Sequence, residues 1–462
     1  MRRNQLVLVG TLVVAACGGT AKTATAPAGN AERQALVAKI DSIISEPIMA
    51  GKVAGASIAI VKGKDTIAVQ GFGKANIELD VPTMAHATYE IGSVTKQFTG
   101  AAIMQLVEQG KINLDDDLSK YLPDYNAQGH QITVKRLLDH TSGIKGYTEM
   151  PEFRTLGAFK LPRDTLVKLF SKQPFDFDPG QEQIYNNSAF FLAGLIIAKV
   201  SGMPYEEYVQ KTLFDKAGMK DAHYCSETKI IKGKVTGYDS DSAGLVQKAP
   251  LSHQWPYSAG SLCSSAIDLV RWNEALHQSG TILGAAAYQE FITPETLTDG
   301  SVLGYTKGIA VYPRLGHKAL HHGGGINGFL SENIYFPDDS LSVVVLFNTA
   351  GREGPDKYAL KIAELILGKP ADQTKAMDGD ATRFAGVYAG RGRGRPMEMT
   401  IAVADGKVTA KTPFSEKPDT LAYLGNNTFL MGESHLMFTE QGGKLAKVRI
   451  DAGYGNNVLT RK

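Results

Sequence analysis

The spacing of apolar residues changes twice in the first quarter of the chain. Between residues 32 and about 45, apolar residues recur every three or four positions, which predicts an amphipathic helix that Pro47 ends. Residues 56–73, ASIAIVKGKDTIAVQGFG, alternate apolar and polar positions around a Lys-Gly-Lys-Asp turn, which predicts a β-hairpin. Helical spacing returns after Ser93 and continues to Gly110, so a second amphipathic helix is predicted there.

A mixed helical and strand region follows. Residues up to about 300 combine helical patterns with long loops, strand patterns fill 308–350, and YALKIAELILG at 358–368 predicts a closing helix. An antiparallel sheet flanked by helices, with a helical subdomain inserted, accounts for this order. The sequence therefore predicts an α+β domain over residues 32–370.

A small all-β, barrel-like domain is predicted at the end of the chain. Residues 371–380, ADQTKAMDGD, are polar and lack periodicity, as is typical of a linker. Residues 381–462 show short strand patterns, with hairpin turns at Asp405-Gly406 and Gly442-Gly443.

Composition narrows the class of protein. The 462 residues are 43% hydrophobic and 21% charged, the profile of a soluble globular protein with room for two domains. The net charge is +2, and no basic run is interleaved with aromatic residues. Nucleic acid is therefore excluded as a predicted partner.

The N-terminal segment has the pattern of an export signal. Two arginines precede an apolar run from Leu6 to Ala16, which is too short to span a bilayer. The run ends in Val-Ala-Ala-Cys-Gly, which resembles the bacterial lipobox, so Cys17 is predicted to be lipidated. Residues 1–17 would be the signal peptide and 18–31 a flexible tether. The protein is thus expected on a membrane of the cell envelope, at the outer membrane or in the periplasm if the envelope is Gram-negative. An ordinary cleavage site with an incidental cysteine is the alternative.

The other two cysteines leave two alternatives open. In an exported protein, Cys225 and Cys263 could form a disulfide, but two buried free thiols fit the sequence as well. No Cys/His cluster has the spacing of a zinc site, so no metal and no other cofactor is predicted. The sequence predicts no oligomeric state.

Three serines lie three residues before a lysine, a spacing that puts both side chains on one face of a helix. The pairs are Ser93/Lys96, Ser142/Lys145 and Ser226/Lys229. Only the first pair opens an amphipathic helix, whereas the second lies between glycines and the third in a loop or strand pattern. A serine hydroxyl becomes a nucleophile beside a base, and a lysine serves if burial or a nearby cation lowers its pKa. A simple capping serine is the alternative for Ser93.

Two later motifs add candidate chemistry. Tyr185-Asn186-Asn187 precedes an amphipathic helix, for which Asn187 or Ser188 is the predicted N-cap. The tyrosine could relay protons and the asparagine amide could orient a substrate carbonyl, or both could be structural. Tyr-x-Asn recurs at Tyr454, but among the last strand patterns of the β domain.

The second of these motifs is glycine-rich. In HHGGGINGF, His322-Gly323-Gly324 is predicted to lie on a strand where missing side chains let a substrate backbone approach closely. The alternative is a glycine-rich hairpin.

The order of these motifs resembles that of the penicillin-recognising serine hydrolases, in the branch of class C β-lactamases, D,D-peptidases, D-aminopeptidases and esterases. LLDHTSGI at 137–144, AGSLCSSAIDLVRWNEAL from Ala259 and HGGGINGF from His322 resemble linking motifs of that family. The resemblance covers about residues 35–368 and implies a β-lactamase-like fold. The C-terminal domain resembles the lipocalin-like modules of some relatives.

The resemblance implies a role for each candidate residue. Ser93 would be the nucleophile, Lys96 its base and Tyr185 the second acid/base. The predicted substrate-binding residues are Asn187, His322, Gly324 and Gly325, and the N–H groups of Ser93 and Gly325 would form the oxyanion hole.

One departure from the family pattern changes the expected substrate. β-Lactamases and D,D-peptidases usually have lysine where this chain has His322, and histidine is mostly neutral at pH 7. This favours small amides or esters over β-lactams.

The predicted function is an exported serine hydrolase that forms an acyl-enzyme with a small amide, peptide or ester. A β-lactamase is one alternative, and a non-catalytic, ligand-binding lipoprotein of the cell envelope is another. Because no matched motif lies beyond residue 381, the β domain is expected to be dispensable for acylation.

Overall fold

The computed structural model of the chain describes residues 28–392, 395–404, 406–413, 415, 417–451 and 453–462. The predicted signal peptide with Cys17, most of the tether and Asp405 of one predicted turn lie outside the described residues. The helices that it shows are α1 (Ala28–Met49), α2 (Thr95–Glu108), α3 (Val134–Leu138), α4 (Pro151–Leu156), α5 (Arg163–Phe170), α6 (Asn187–Ser201), α7 (Tyr205–Val209), α8 (Asp215–Ala217), α9 (Ala266–His277), α10 (Ala285–Ile292) and α11 (Pro355–Leu367).

The strands of the α+β region form one large sheet and two small ones. They are β1 (Gly55–Lys62), β2 (Asp65–Asn76), β3 (Val81–Pro82), β4 (Tyr89–Glu90), β5 (His223–Tyr224), β6 (Tyr238–Asp241), β7 (Gly244–Gln247), β8 (Leu262–Ser264), β9 (Tyr305–Thr306), β10 (Ile309–Val311), β11 (Leu320–Ile326), β12 (Phe329–Phe336), β13 (Leu341–Phe347) and β14 (Thr349–Ala350). The large sheet has the order β3-β2-β1-β13-β12-β11-β10-β9.

Helices cover both faces of the large sheet. Strand β13 alternates its side chains between the faces: Val343 and Val345 pack towards α1 and α11, while Val344 and Leu346 pack towards α2 and the helical subdomain. A strand that is buried on both faces needs apolar side chains on both, which explains why VVVLF at 343–347 is a continuous apolar run. The α+β fold predicted from the sequence is confirmed.

Helix α1 differs from its prediction at one end. It continues through Pro47 to Met49 instead of ending before the proline. Proline lacks an N–H, so it removes only one helical hydrogen bond this close to the end. Ile48 in the last turn packs against the apolar cluster under the sheet, and Gly51, with φ +68°, then turns the chain away.

The C-terminal sheet is antiparallel and nearly closed, like a barrel. Its strands are β15 (Gly386–Gly392), β16 (Arg395–Ala404), β17 (Lys407–Lys411), β18 (Asp419–Thr420), β19 (Ala422–Gly425), β20 (Thr428–Met431), β21 (Ser434–Gln441), β22 (Lys444–Asp451) and β23 (Asn456–Arg461). The two edge strands, β18 and β19, are one residue apart in sequence, so the sheet curls back on itself. Its interior is filled by an aromatic and aliphatic cluster that includes Phe384, Tyr388, Phe429 and Phe438. The domain boundaries at 370 and 381 stay predictions.

Polar contacts join this sheet to the α+β region. Arg449 on β22 lies 2.5 Å from the Asp299 carboxylate, and Arg314 lies 3.1 Å from that of Glu433. The Tyr312 hydroxyl contacts the Glu433 carbonyl and His435. These contacts hold one edge of the barrel-like sheet beside strands β9–β11.

Cys225 and Cys263 form a disulfide across 38 residues of sequence. The bond lies beside the small sheet β4-β8-β5, whose strand β4 ends three residues before Ser93. Closing a loop of this length stabilises a protein by about 4 kcal/mol in the chain-entropy model.

Replacing both cysteines by serine is expected to lower the free energy of unfolding by up to that amount, measured by chemical denaturation. Reductant should destabilise the wild type and leave the double variant unchanged; a wild type that reductant does not affect would contradict the prediction.

Candidate active site

Ser93 lies at a tight turn that opens the long helix α2. Residues Gly92–Val94 form a single 3-10 turn, and Gly92 adopts φ +49°, a conformation that glycine tolerates. Val94 and Phe98 on the same helix are fully buried in the main apolar cluster, which fixes the helix in place. The N-cap is Ile91 for the 3-10 turn and Val94 for α2, so Ser93 is the N-cap of neither. The capping alternative is therefore wrong, and Ser93 lines a cavity.

Lys96 lies one turn later with no exposed surface. Its Nζ is 3.1 Å from Ser93 Oγ, 2.7 Å from Asn187 Oδ1 and 2.8 Å from the carbonyl oxygen of Ala259. The amide and carbonyl oxygens only accept hydrogen bonds. A neutral amine can donate to such oxygens and can also accept a proton from Ser93 Oγ. The geometry thus suits a lysine that acts as a base.

Asn186, not Asn187 or Ser188, is the N-cap of α6. The Asn186 side chain accepts a hydrogen bond of 2.9 Å from the N–H of Ala189. The prediction was one or two residues late because all three side chains are capping types. With Asn186 in the cap, the Asn187 side chain is available to the cavity, where its Nδ2 donates to Thr148 Oγ1 at 3.3 Å.

Tyr185 is held against Lys96 by the segment around Ser142. The Lys96 Nζ lies 4.7 Å from the centre of the Tyr185 ring. His140 packs on that ring at 4.4 Å, and its Nδ1 accepts the N–H of Asn186 at 3.1 Å. His140 adopts φ +63°, so the chain turns sharply here. The LLDHTSGI motif therefore supports the tyrosine and contributes no reactive serine to this cavity.

The other two serine–lysine pairs do not form. Lys145 pairs with Asp176 at 2.9 Å, while Ser142 is fully buried. Ser226 Oγ accepts the N–H groups of Thr228 and Lys229 in a local turn.

His322 is buried and neutral. The carbonyl of Gly323 lies 2.6 Å from Nδ1, so Nδ1 carries the hydrogen, and Nε2 accepts from the Tyr305 hydroxyl at 2.9 Å. Burial is the main cause that lowers the pKa of His322 to about 3. Both nitrogens are already used, so this residue cannot hold a substrate carboxylate by charge.

Gly324 is required for a reason that differs from the prediction. A Cβ atom at this residue would lie 2.1 Å from the carbonyl oxygen of Ile91 and 2.3 Å from Ser331 Oγ. Strand β11 thus packs directly on the backbone that leads to Ser93. At Gly325 a Cβ would meet only Leu330, at an ordinary 3.4 Å. Ser93 and Gly325 both line one cavity. The packing that brings these two segments together depends on the missing side chain of Gly324.

The cavity has a volume of about 540 Å³. None of the described residues that line it carries a charge at neutral pH. Apolar and aromatic side chains form its wide walls, and polar groups collect at the Ser93 end. Its lining comprises Ser93, Tyr147, Thr148, Phe153, Tyr185, Asn187, Leu251, Pro256, Ala259, Gly260, His322, Gly323, Gly324, Gly325, Ile326, Asn327, Tyr454, Gly455 and Asn457. In the part of the chain that the structure describes, no three His, Cys, Asp or Glu side chains are grouped to hold a metal ion.

The model of the Beta-lactamase family matches residues 40–367 of this chain. The chain belongs to the β-lactamase family. It has a β-lactamase-like fold, as the resemblance implied. The chain is 27% identical over 315 residues to Protein flp of Staphylococcus aureus strain MRSA252, which covers 67% of this chain and 62% of that protein. It is 26% identical over 337 residues to the D-aminopeptidase of Brucella anthropi, covering 71% and 62%. The chain thus aligns with about three fifths of the length of these curated relatives.

One solved structure also covers the C-terminal sheet. The octameric penicillin-binding protein homologue from Pyrococcus abyssi superposes with a TM-score of 0.64 and 26% identity, over 91% of this chain and 99% of that one. The chain therefore shares its two-part architecture with that homologue.

One residue of the cavity comes from the C-terminal sheet. Tyr454 lies in the loop between β22 and β23 of the C-terminal sheet, yet it lines the cavity beside Tyr185 and His322. Its Tyr-x-Asn pattern was visible in the sequence. It was dismissed because it falls in a strand-rich domain with no other matched motif, and only the packing of the two domains shows where the loop goes.

Proposed function

We propose that this hydrolase cleaves uncharged carboxylic esters or amides through an acyl-enzyme on Ser93. The observation that carries the proposal is the placement of Ser93 Oγ 3.1 Å from Lys96 Nζ, at one end of an uncharged, largely apolar cavity. A neutral amine this close to the hydroxyl can take the proton of Ser93.

The proposed first step is acylation. The amine of Lys96 takes the Ser93 proton while Oγ forms a bond to the substrate carbonyl carbon, and the carbonyl oxygen becomes negative. The N–H groups of Ser93 and Gly325 stabilise that oxygen, an effect commonly worth about 3 kcal/mol per donor. The bond to the leaving oxygen or nitrogen then breaks, and the proton passes to that atom, with Tyr185 as the second acid/base.

Deacylation repeats these proton transfers with water. Water loses a proton to the Lys96–Tyr185 pair as its oxygen bonds to the acyl carbon, and Ser93 Oγ leaves and takes a proton back. The products are a carboxylic acid and the alcohol or amine that left first. The Asn187 amide, beside Lys96 and Thr148, is proposed to orient the acyl group.

The uncharged lining supports a neutral substrate. A β-lactam or a D-Ala-D-Ala peptide carries a carboxylate, and His322 is neutral with both nitrogens in use. A peptide with an N-terminal D-amino acid, the kind of substrate that the name of the Brucella anthropi D-aminopeptidase indicates, carries an ammonium group, for which the lining offers no carboxylate. Burying an unpaired charge is strongly unfavourable, so esters of apolar acids are the preferred class.

A substrate panel tests this proposal. It comprises p-nitrophenyl butyrate, a D-alanine p-nitroanilide, a D-Ala-D-Ala peptide and nitrocefin, each compared by kcat/KM. The ester is expected to be hydrolysed fastest, with release of p-nitrophenol that ends when a fluorophosphonate labels Ser93. If the D-alanine anilide has the highest kcat/KM, the protein is an aminopeptidase and the proposed esterase function is wrong. If nitrocefin has the highest kcat/KM, the protein is a β-lactamase.

The proposal also includes export and lipidation. The Cys225–Cys263 disulfide supports it, because such bonds persist in oxidising compartments outside the cytoplasm. The lipobox-like segment that ends at Cys17 supports attachment to the envelope membrane, since two or more acyl chains anchor a protein stably. Labelling by an alkyne palmitate should occur in the wild type and be lost in Cys17→Ser. If the wild type is not labelled, the lipidation proposal is wrong and the segment is an ordinary signal peptide.

A further inference from the structure

The loop between β22 and β23 extends from the C-terminal domain into the active site. Its backbone joins the segment before α6, because the N–H of Asn456 donates to the carbonyl of Gln183 at 3.0 Å. Gln183 lies two residues before Tyr185, and its own Nε2 donates to the Asp139 and Tyr305 carbonyls. The loop is thus tied to the backbone that presents Tyr185.

The hydroxyl of Tyr454 makes two hydrogen bonds to strand β11. The N–H of Gly323 donates to it at 2.6 Å, so the hydroxyl oxygen is the acceptor there. His321 Nδ1 lies 3.1 Å away and accepts the Tyr454 proton. Burial is the main reason that the pKa of His321 lies well below its ordinary value, with a smaller contribution from the positive charge of Arg314, so the ring is neutral and able to accept.

These bonds hold β11 at the residue next to His322. On the other side of the strand, Gly324 packs against the carbonyl of Ile91, and Ser331 Oγ donates to that same carbonyl at 2.8 Å. The strand that presents the Gly325 N–H is therefore held between the turn before Ser93 and the hydroxyl of Tyr454.

The ring of Tyr454 lines the cavity beside Tyr185 and His322. It packs edge-on to Tyr185 with centroids 6.3 Å apart, and it lies 5.0 Å from His322. The hydroxyl is turned towards β11, so the cavity receives the ring and gains no further charge.

We propose that Tyr454 is a positioning residue: it sets where β11 places the Gly325 N–H, so the C-terminal domain completes the active site of the catalytic domain. This inference rests on the proposed acyl-enzyme function. It replaces the expectation that the β domain is dispensable for acylation, which assumed that no residue of that domain reaches the site.

The test compares Tyr454→Phe with Tyr312→Phe in the full chain. Both variants remove one tyrosine hydroxyl from a contact between the domains, but Tyr312 binds the Glu433 carbonyl and His435, and it does not line the cavity. For p-nitrophenyl butyrate, Tyr454→Phe is expected to lower kcat about tenfold and to leave KM within about twofold of wild type. The loss is smaller than the roughly 10²–10³-fold loss caused by removing an oxyanion donor, because the Gly325 N–H is displaced and not removed. Tyr312→Phe should keep the wild-type kcat, and its change in Tm should be similar to that of Tyr454→Phe.

A second measurement separates positioning from a general loss of stability. A phenylboronic acid forms a tetrahedral adduct with an active serine, so its affinity reports the oxyanion site. The affinity should fall about tenfold in Tyr454→Phe and remain unchanged in Tyr312→Phe, in step with kcat. Equal losses in both variants, or a kcat of Tyr454→Phe within twofold of wild type, would overturn the inference. A wild type that a fluorophosphonate does not label at Ser93 would overturn the proposed function and this inference with it.

Discussion

Ser93→Ala is expected to lower kcat/KM for p-nitrophenyl butyrate by at least about 10⁴-fold, because the variant has no oxygen on which an acyl-enzyme can form. The fold should persist, since the Ser93 side chain caps no helix and lies at the cavity rather than in the apolar cluster. Steady-state hydrolysis and the Tm measured by circular dichroism check both halves of this prediction.

Ser226→Ala is the matched control, because it removes the hydroxyl of another serine that precedes a lysine by three residues. Ser226 Oγ accepts two backbone N–H groups in a surface turn, so its loss should leave kcat/KM within about twofold. Hydrolysis by Ser93→Ala at the wild-type rate would show that another group is the nucleophile. Ser142→Ala would then be the next variant to measure.

Gly324→Ala is expected to lower kcat about 100-fold, the loss that a displacement of roughly 1 Å at an active site can cause. The new methyl group would lie 2.1 Å from the Ile91 carbonyl oxygen, so either β11 or the turn before Ser93 must move. Both segments carry an N–H of the proposed oxyanion hole. Overpacking of this kind also destabilises a fold by about 1–3 kcal/mol, which chemical denaturation measures.

Gly325→Ala, one residue further along the same strand, is the control for that effect. Its methyl group would make an ordinary 3.4 Å contact with Leu330, so no steric overlap forces the backbone to move. We expect its kcat to remain within about tenfold of wild type, and its stability to change by less than that of Gly324→Ala. Equal activity of Gly324→Ala and wild type would show that the packing of β11 on Ile91 does not control the site.

Local patterns predicted the elements that depend on local interactions. The hairpin of β1 and β2, the helix after Ser93 and the closing helix α11 follow the predicted apolar spacing. The two local errors, at Pro47 and at the cap of α6, come from competing interactions. Packing of Ile48 under the sheet keeps α1 helical past its proline, and Asn186, Asn187 and Ser188 are all residues that cap helices well.

The glycine motif was found for an incomplete reason. Sequence alone marks HHGGG as a place where side chains are missing, but it cannot show what occupies the space. At Gly324 that space holds the Ile91 carbonyl and the Ser331 hydroxyl, which are supplied by segments far apart in the chain.

By itself the sequence determined the Ser93–Lys96 pair, because residues three apart at the start of a helix share a face whatever the rest of the chain does. It also determined the order of motifs that marks the family. Only the tertiary structure decided the state of the site. The acceptors of Lys96 come from Asn187 and Ala259, the neutral His322 is a result of burial, and Tyr454 arrives from another domain. Each of these depends on contacts between segments that lie tens to hundreds of residues apart, and such contacts leave no periodic signal in the sequence.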